Sequence, residues 1–475
     1  MTPTLTRRRF AAASVALAAS ALLPRFAFSQ ATPLALTATK RTLDINGKAA
    51  SIYGLVNASG GQGLILDPGQ RFAVDLTNDL DAETLIHWHG QIPPNLQDGV
   101  PGMPAPLLQP GESRSYDFAA KPGTHWMHSH VPLQEMALLA APLIVRTAAD
   151  VAADRQEVVM FLHDFAFAPP AEVLATITGG AADGMAGMDM GTPAKADGMK
   201  GMPGMAMDLN DYNFDAYLTN DRTLSDPDVV RVEAGGRVRL RIINGSAATA
   251  YWVDMGAAVA RLIAVDGHDV HPLPGQRFGL AMGQRLDIEV DLAGAGAFPI
   301  LAQREGAVER TGLILATPGA KVPRLAEVAV TKAPAFDADL SQESALRAME
   351  PLAAAEARSV SLVLAGAMQP YVWTLNGHTW ADHIPVTAKT GERVEITFQN
   401  TSMMGHPMHL HGHSFQVVDV GGGRFAGALR DTVFVPPMRQ VTVALDAGEA
   451  ARWMLHCHSM PHLTTGMMTE FVVSA

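Results

Sequence analysis

The sequence predicts an all-β chain of three β-sandwich domains, and three observations carry that reading. A ten-residue pattern recurs: Gly69 to Asn78 reads GQRFAVDLTN, Gly235 to Asn244 reads GGRVRLRIIN, and Gly391 to Asn400 reads GERVEITFQN. Each copy is a glycine turn followed by alternating apolar residues, the pattern of a half-buried strand. The copies stand 166 and 156 residues apart, so the repeating unit is a domain of about 150 residues. Finally, 43 glycines and 31 prolines punctuate the chain, and few stretches hold a helical period. With 475 residues, 48% of them hydrophobic, the chain can fill two or three sizeable cores. The units are expected at residues 35–150, 155–320 and 345–475, each a Greek-key sandwich.

Ahead of the first unit, Arg7, Arg8 and Arg9 precede Phe10 and an Ala-rich apolar stretch from Ala11 to Leu23. This looks like a twin-arginine export signal over residues 1–30, cleaved just after Ala27, Phe28 and Ser29. The stretch is too short for a permanent membrane span, so the mature chain is expected in the bacterial periplasm. Cys457 is the only cysteine, which excludes an internal disulfide and leaves one thiolate free. A net charge of −12 argues against nucleic acid as a partner and is compatible with cationic substrates. A monomer is expected.

The first unit carries His87-Trp88-His89-Gly90 and then His128-Ser129-His130. The third carries His406-Pro407-Met408-His409-Leu410-His411 and, near its end, His456-Cys457-His458 followed by His462 and Met467. These four clusters hold ten of the seventeen histidines. The second unit has none: after its repeat comes Ser246-Ala247-Ala248-Thr249-Ala250-Tyr251-Trp252, so it is expected to act as a spacer. A thiolate, an imidazole and a thioether together suit a copper site of the blue electron-transfer kind. Neighbouring side chains of a strand face opposite ways. Cys457 would therefore face one site, while His456 and His458 serve another. By the same parity His406 faces the Cys457 side, and His409 and His411 the opposite one.

The patterns HxHG, HxH, HxxHxH and HCHxxxHxxxxM resemble those of the multicopper oxidases, in that family's order and over the whole chain. The resemblance implies three cupredoxin-like domains and four copper ions. It implies a type 1 copper on His406, Cys457 and His462 with Met467 as weak axial ligand. A type 2 copper would sit on His87 and His409, and a type 3 pair on His89, His128, His130, His411, His456 and His458. Such a protein accepts electrons singly at the thiolate site and reduces O2 to water with four. Oxygen reduction consumes protons; Asp98 stands where family members carry an acid serving the cluster, although Asp-Gly is also a common turn pair. Some cuprous oxidases carry an acid directly after the second type 1 histidine, where this chain has Leu463. Trp88 is expected to pack beside the cluster and His125 to pack near it without binding metal.

Seven methionines, Met185, Met188, Met190, Met199, Met202, Met205 and Met207, lie in a segment without histidine or aromatics. Thioethers are soft ligands that capture Cu(I), and Met-rich segments mark cuprous oxidases within the family. The favoured reductant is therefore Cu(I), with copper tolerance as the outcome. A small organic reductant such as a phenol, oxidised as by a laccase, is the main rival. A third reading is a copper-binding or storage protein that never turns over, or a division-related scaffold that kept the fold; the scaffold predicts eroded ligand positions, and here they are intact.

Overall fold

The computed structural model describes residues 32–131, 133–179 and 209–475. The export signal at residues 1–30 and the segment from Met185 to Met207 lie outside the described residues. Residues Leu34–Ala475 form one compact unit containing six sheets. Successive stretches of the chain each build two of these sheets around a separate apolar cluster, so the all-β prediction holds.

The three repeats become equivalent strands, Phe72–Asn78, Arg237–Asn244 and Arg393–Asn400. Each lies parallel to the strand that opens its sandwich, Leu34–Ile45, Gln156–Phe165 or Arg358–Met368. Each also lies antiparallel to a later strand, Ser113–Phe118, Arg285–Asp291 or Gln440–Asp446. The terminal asparagine explains why the repeat ends as it does. Asn78, Asn244 and Asn400 each accept the backbone N–H two residues on, from Leu80, Ser246 and Ser402 (3.0, 3.0 and 2.9 Å). Their amide groups donate to the buried carbonyls of Leu108, Leu280 and Val435. An Asx turn thus pins the loop that follows the strand.

The first and third repeats alternate buried and half-buried residues as expected. The second does not: Leu240 through Asn244 are all buried. Its outward face is covered by the first sandwich. Arg241 donates to Thr124 Oγ1 (3.1 Å), and Ile243 shares a small apolar cluster with Trp126, Ala140 and Ile144. The middle sandwich is therefore docked against its neighbour rather than merely strung between the other two. No helix among the described residues is long and apolar enough to cross a membrane.

Candidate metal centres

The strand His406–Leu410 pairs antiparallel with Arg452–Cys457, placing Met408 opposite Cys457 and His409 opposite His456. Cross-strand partners point the same way. Cys457 and Met408 therefore face the apolar core of the third sandwich, while His409 and His456 face away from it. One peptide bond thus separates two sites.

On the core side, Cys457 Sγ lies 3.7 Å from His406 Nδ1 and 3.6 Å from His462 Nδ1, with the two nitrogens 3.1 Å apart. His406 donates its Nε2–H to Ser402 Oγ (2.8 Å), which leaves Nδ1 as a lone-pair nitrogen. Met467 is fully buried in the same apolar cluster, and its carbonyl accepts the Cys457 N–H (3.0 Å). The His462 ring packs against Trp373 with centroids 4.2 Å apart.

On the far side eight imidazoles converge from four stretches of chain. The ligand nitrogens of His87, His89 and His409 lie within 4.8 Å of one another, as do those of His89, His128 and His458, and those of His130, His411 and His456. His87 donates Nδ1–H to Asp98 O (2.8 Å), His409 to Asp431 O (2.8 Å), His411 to Asp98 Oδ2 (2.8 Å) and His456 to Cys457 O (3.0 Å). His89 is turned round: Nε2 bonds Asp431 Oδ1 and Thr432 Oγ1, both at 3.1 Å, so Nδ1 is its inward atom.

This arrangement tests whether the residues fit metal ions. His89 Nδ1, His128 Nε2, His130 Nε2 and His458 Nε2 are buried without a hydrogen-bond partner, which is costly for a polar atom unless something occupies its lone pair. His411 Nε2 and His456 Nε2 face each other at 3.1 Å although both rings have given their N–H elsewhere. Two lone pairs at that distance repel unless a cation lies between them. Burial, reinforced by the Arg285 charge at His89 and by neighbouring imidazoles throughout, holds His89, His128, His130, His409 and His456 well below the usual histidine value. Neutral rings are what metal binding requires. Burial likewise pushes the Cys457 thiol up, so its thiolate needs a cation beside it. The donor set fits copper: a thiolate with imidazoles on one side, imidazoles alone on the other.

Each sequence-predicted histidine and Cys457 falls in one of these groups, and Met467 is buried beside the first. Asp98 is 1% exposed and lies between His87 and His411, its Oδ1 3.4 Å from His87 Nδ1. Burial works to raise its carboxyl, but His411 and His87 outweigh it and hold the group well below the carboxylate range. Trp88 corrects an expectation. It alternates with His87 and His89 and so points into the first core, against Phe72 and Tyr116. Trp126 takes the place beside the cluster, stacked on His128 with centroids 4.2 Å apart. His125 is fully buried and bonds only Pro122 O.

Three residues that the motifs do not mark also reach the cluster. Glu135 Oε2 lies 2.7 Å from His128 Nδ1, and Oε1 lies 3.9 Å from His458 Nδ1. Glu135 and Leu463 line one cavity together with His128, His130, His456 and His458. A buried carboxyl thus stands beside Leu463, supplied from the opposite sandwich; burial, with Asp164 as second cause, holds it well above its usual value. Its position five residues after His130 is the only sequence signal for it. Asp431 and its partner Arg285 carry no motif at all.

A second cavity adjoins the thiolate site. Asp211, Met282, Glu305, Met404, Phe434 and His462 line it. Asp211 Oδ2 lies 3.4 Å from His462 Nε2, and Oδ1 accepts the Tyr371 hydroxyl (2.9 Å). Burial pushes Glu305 up to about 7.

Family models described as multicopper oxidase match residues 37–150, 183–317 and 355–475. The multicopper oxidase MmcO of Mycobacterium tuberculosis is 30% identical over 458 residues, 92% of this chain and 86% of that protein. The chain belongs to the multicopper oxidase family. Copper resistance protein A of Escherichia coli is 25% identical, over 94% of this chain and 93% of its own length. The crystal structure of a laccase from Botrytis aclada superposes with a TM-score of 0.74 at 22% identity, covering 92% of this chain and 87% of that one. The fold of this multicopper oxidase is thus three cupredoxin-like sandwiches, and the family implies copper binding in a chain that holds several buried histidine clusters.

Proposed function

We propose that this multicopper oxidase oxidises Cu(I) to Cu(II) and couples that to reduction of dioxygen. Four Cu(I), one O2 and four protons give four Cu(II) and two waters. The observation that carries the choice of reductant is the cavity at His462. It offers the carboxylate of Asp211 and the thioethers of Met282 and Met404 beside the buried ring of His462, a type 1 ligand in this reading. Leu209, another lining residue, follows Met207 of the Met-rich segment by two positions. Soft sulfur with a nearby anion suits a soft monovalent cation.

In this reading His406, Cys457, His462 and Met467 hold the type 1 copper. His87 and His409 hold the type 2 copper, and His89, His128, His130, His411, His456 and His458 the type 3 pair. Bound copper supplies the redox chemistry, single-electron uptake at the thiolate and four-electron transfer to dioxygen at the histidine cluster. The protein's own contribution is positional. The His456-Cys457-His458 backbone joins the two sites covalently. Asp98 orients His87 and His411 and serves as the acid–base group at the cluster. The sandwiches keep the cluster buried, away from the reductant at His462. Export through the twin-arginine signal to the periplasm, and a role in copper tolerance, complete the proposal.

Two measurements test it. Deleting Met185 to Met207 is expected to slow Cu(I) oxidation while leaving oxidation of a phenol unchanged in oxygen-uptake assays. If both rates are unaltered, the segment has no part in choosing the reductant. Asp98→Ala is expected to slow oxygen reduction about 10- to 100-fold, as loss of a group supporting metal ligands does, while the type 1 site is still reduced at the normal rate. Equal steady-state turnover would reject the role. The laccase reading draws on Phe336 and Phe434 in the same cavity, which suit an aromatic ring. A variant with both replaced by alanine separates the two: selective loss of phenol oxidation favours the laccase.

A further inference from the structure

The cluster histidines come from the first and third sandwiches, yet a side chain of the middle one holds them in register. We propose that Arg285 is a positioning residue for the histidine cluster. By clamping Asp431 it fixes which ring nitrogens of His89 and His409 face inward, so copper loading depends on the docked middle sandwich. This inference rests on the copper assignments proposed above.

Arg285 opens the middle-sandwich strand Arg285–Asp291. Its Nη1 and Nη2 donate to Asp431 Oδ1 and Oδ2 (2.7 and 2.5 Å), a bidentate pair in which both side chains are essentially unexposed. Such a pair fixes the carboxylate in both distance and plane. The fixed oxygen Oδ1 then accepts His89 Nε2–H (3.1 Å) and Thr432 Oγ1–H (3.0 Å), and the same residue's carbonyl accepts His409 Nδ1–H (2.8 Å). Asp431 therefore sets the tautomer of one ligand through its side chain and of another through its backbone. The two opposite ring orientations seen above, Nδ1 inward in His89 and Nε2 inward in His409, both trace to it.

The clamp is itself held from all three sandwiches. Arg285 Nε donates to Thr124 O (3.2 Å) in the first, and Nη1 to Gly283 O (2.9 Å) in its own. Asp266 accepts the Arg285 backbone N–H (2.8 Å) and bonds Arg430 Nη1 (3.1 Å), whose Nε reaches Glu343 (2.9 Å). The result is a buried row of alternating charges, Glu343, Arg430, Asp266, Arg285 and Asp431, ending on His89. Space around the clamp is tight. Gly90 has φ +87, and a Cβ there would stand 2.4 Å from Arg285 Nη2 and 3.0 Å from Asp431 Oδ2. Gly283, at φ +77, presses its turn onto the His458 ring, where a Cβ would meet Cδ2 at 2.8 Å. Gln284 donates to Thr432 O (3.1 Å). The turn from Met282 to Arg285 thus touches the surroundings of three cluster ligands, which a spacer would not do. Removing the guanidinium takes away the bidentate partner of the buried Asp431 carboxylate and leaves Lys121, which makes no hydrogen bond to it, as the remaining nearby cation. Without the fork nothing fixes the plane of the carboxylate, so the oxygen that accepts from His89 is no longer held in place.

The test compares Arg285→Leu, Arg285→Lys and Arg430→Leu in the full-length, copper-loaded protein. Copper per chain, the visible absorption of the thiolate site and the type 2 signal in electron paramagnetic resonance are read together. Arg285→Leu is expected to retain the thiolate absorption, to lose copper from the cluster, and to bind it about 10- to 100-fold more weakly on titration of the apoprotein. Arg285→Lys keeps the charge without the fork and is expected to fall between Arg285→Leu and wild type; it also serves if the leucine variant does not fold. Arg430→Leu breaks the same charged row on the far side of Asp266, where the Arg430 side chain bonds Glu343 and Asp266 and not the Asp431 carboxylate, and is expected to keep a full cluster. Full cluster loading in both Arg285 variants, or equal copper loss in Arg430→Leu, overturns the inference and assigns the row a purely structural role. A wild-type protein without cluster copper would instead sink the copper assignments themselves.

Discussion

Replacing Cys457 with serine is expected to abolish the visible absorption of the protein and reduce turnover with any reductant by more than about a hundredfold, beyond what loss of a supporting residue costs. The sulfur is the one soft anionic donor between His406 Nδ1 and His462 Nδ1, at 3.7 and 3.6 Å. A hydroxyl in its place is neither soft nor readily ionised. The eight cluster histidines lie on the other side of the strand from it, and the bonds that orient His87, His89, His409, His411 and His456 do not involve the sulfur. The serine variant should therefore still load the cluster and hold one copper fewer than wild type. Copper analysis beside the absorption spectrum checks this. A serine variant that stays coloured, or one that loses the cluster copper as well, would contradict the separation of the two sites by strand parity.

The second large effect is expected at Gly99. Its φ is +87, and a Cβ there would fall 1.8 Å from Ile86 O, 2.5 Å from Ile86 C and 2.9 Å from His87 Cα. All three are backbone atoms of the short strand Ile86–His87 and cannot swing aside. Gly99→Ala must therefore push apart the loop that carries Asp98 and the strand that carries His87, breaking the 2.8 Å bond from His87 Nδ1–H to Asp98 O. A loss above about 3 kcal/mol is expected, in the range reserved for strain or clash in a packed region, together with loss of type 2 copper. Gly69→Ala is the control. Its φ of +75 is equally left-handed, but nothing lies within 4 Å of the added carbon, so only the left-handed penalty of about 1–2 kcal/mol applies. Unfolding in urea, with copper content measured alongside, compares the two. Equal losses would mean that close approach at Gly99 is not what matters.

Asp98 closes the short turn Asn95–Gln97, and Gly99 follows it at φ +87. That turn places a carboxylate between His87 and His411, the geometry that the proposed acid–base role requires.

Much of the site was legible along the chain because strand parity is local. His456, Cys457 and His458 divide between two sites for a reason contained in three residues, and His406 and His409 divide for the same reason. The repeats were legible through the glycine before each strand and the asparagine after it, since both act within a few positions. Trp88 was misjudged because parity was not applied to it. Alternation with His87 and His89 sends it into the core, and Trp126 stacks on the cluster instead.

Sequence by itself determined which side chains gather, their division between a thiolate site and an imidazole cluster, and the all-β sandwiches that carry them. Each of those follows from residue type and a period of two. Only the tertiary structure decided what holds the imidazoles in place. Arg285 and Asp431 are 146 positions apart, and Asp431 and His89 are 342 apart. Glu135 stands beside His458 from a different sandwich. Such contacts are made by the docking of one sandwich on another, and no periodicity along a single strand encodes which buried charge a neighbouring domain will meet.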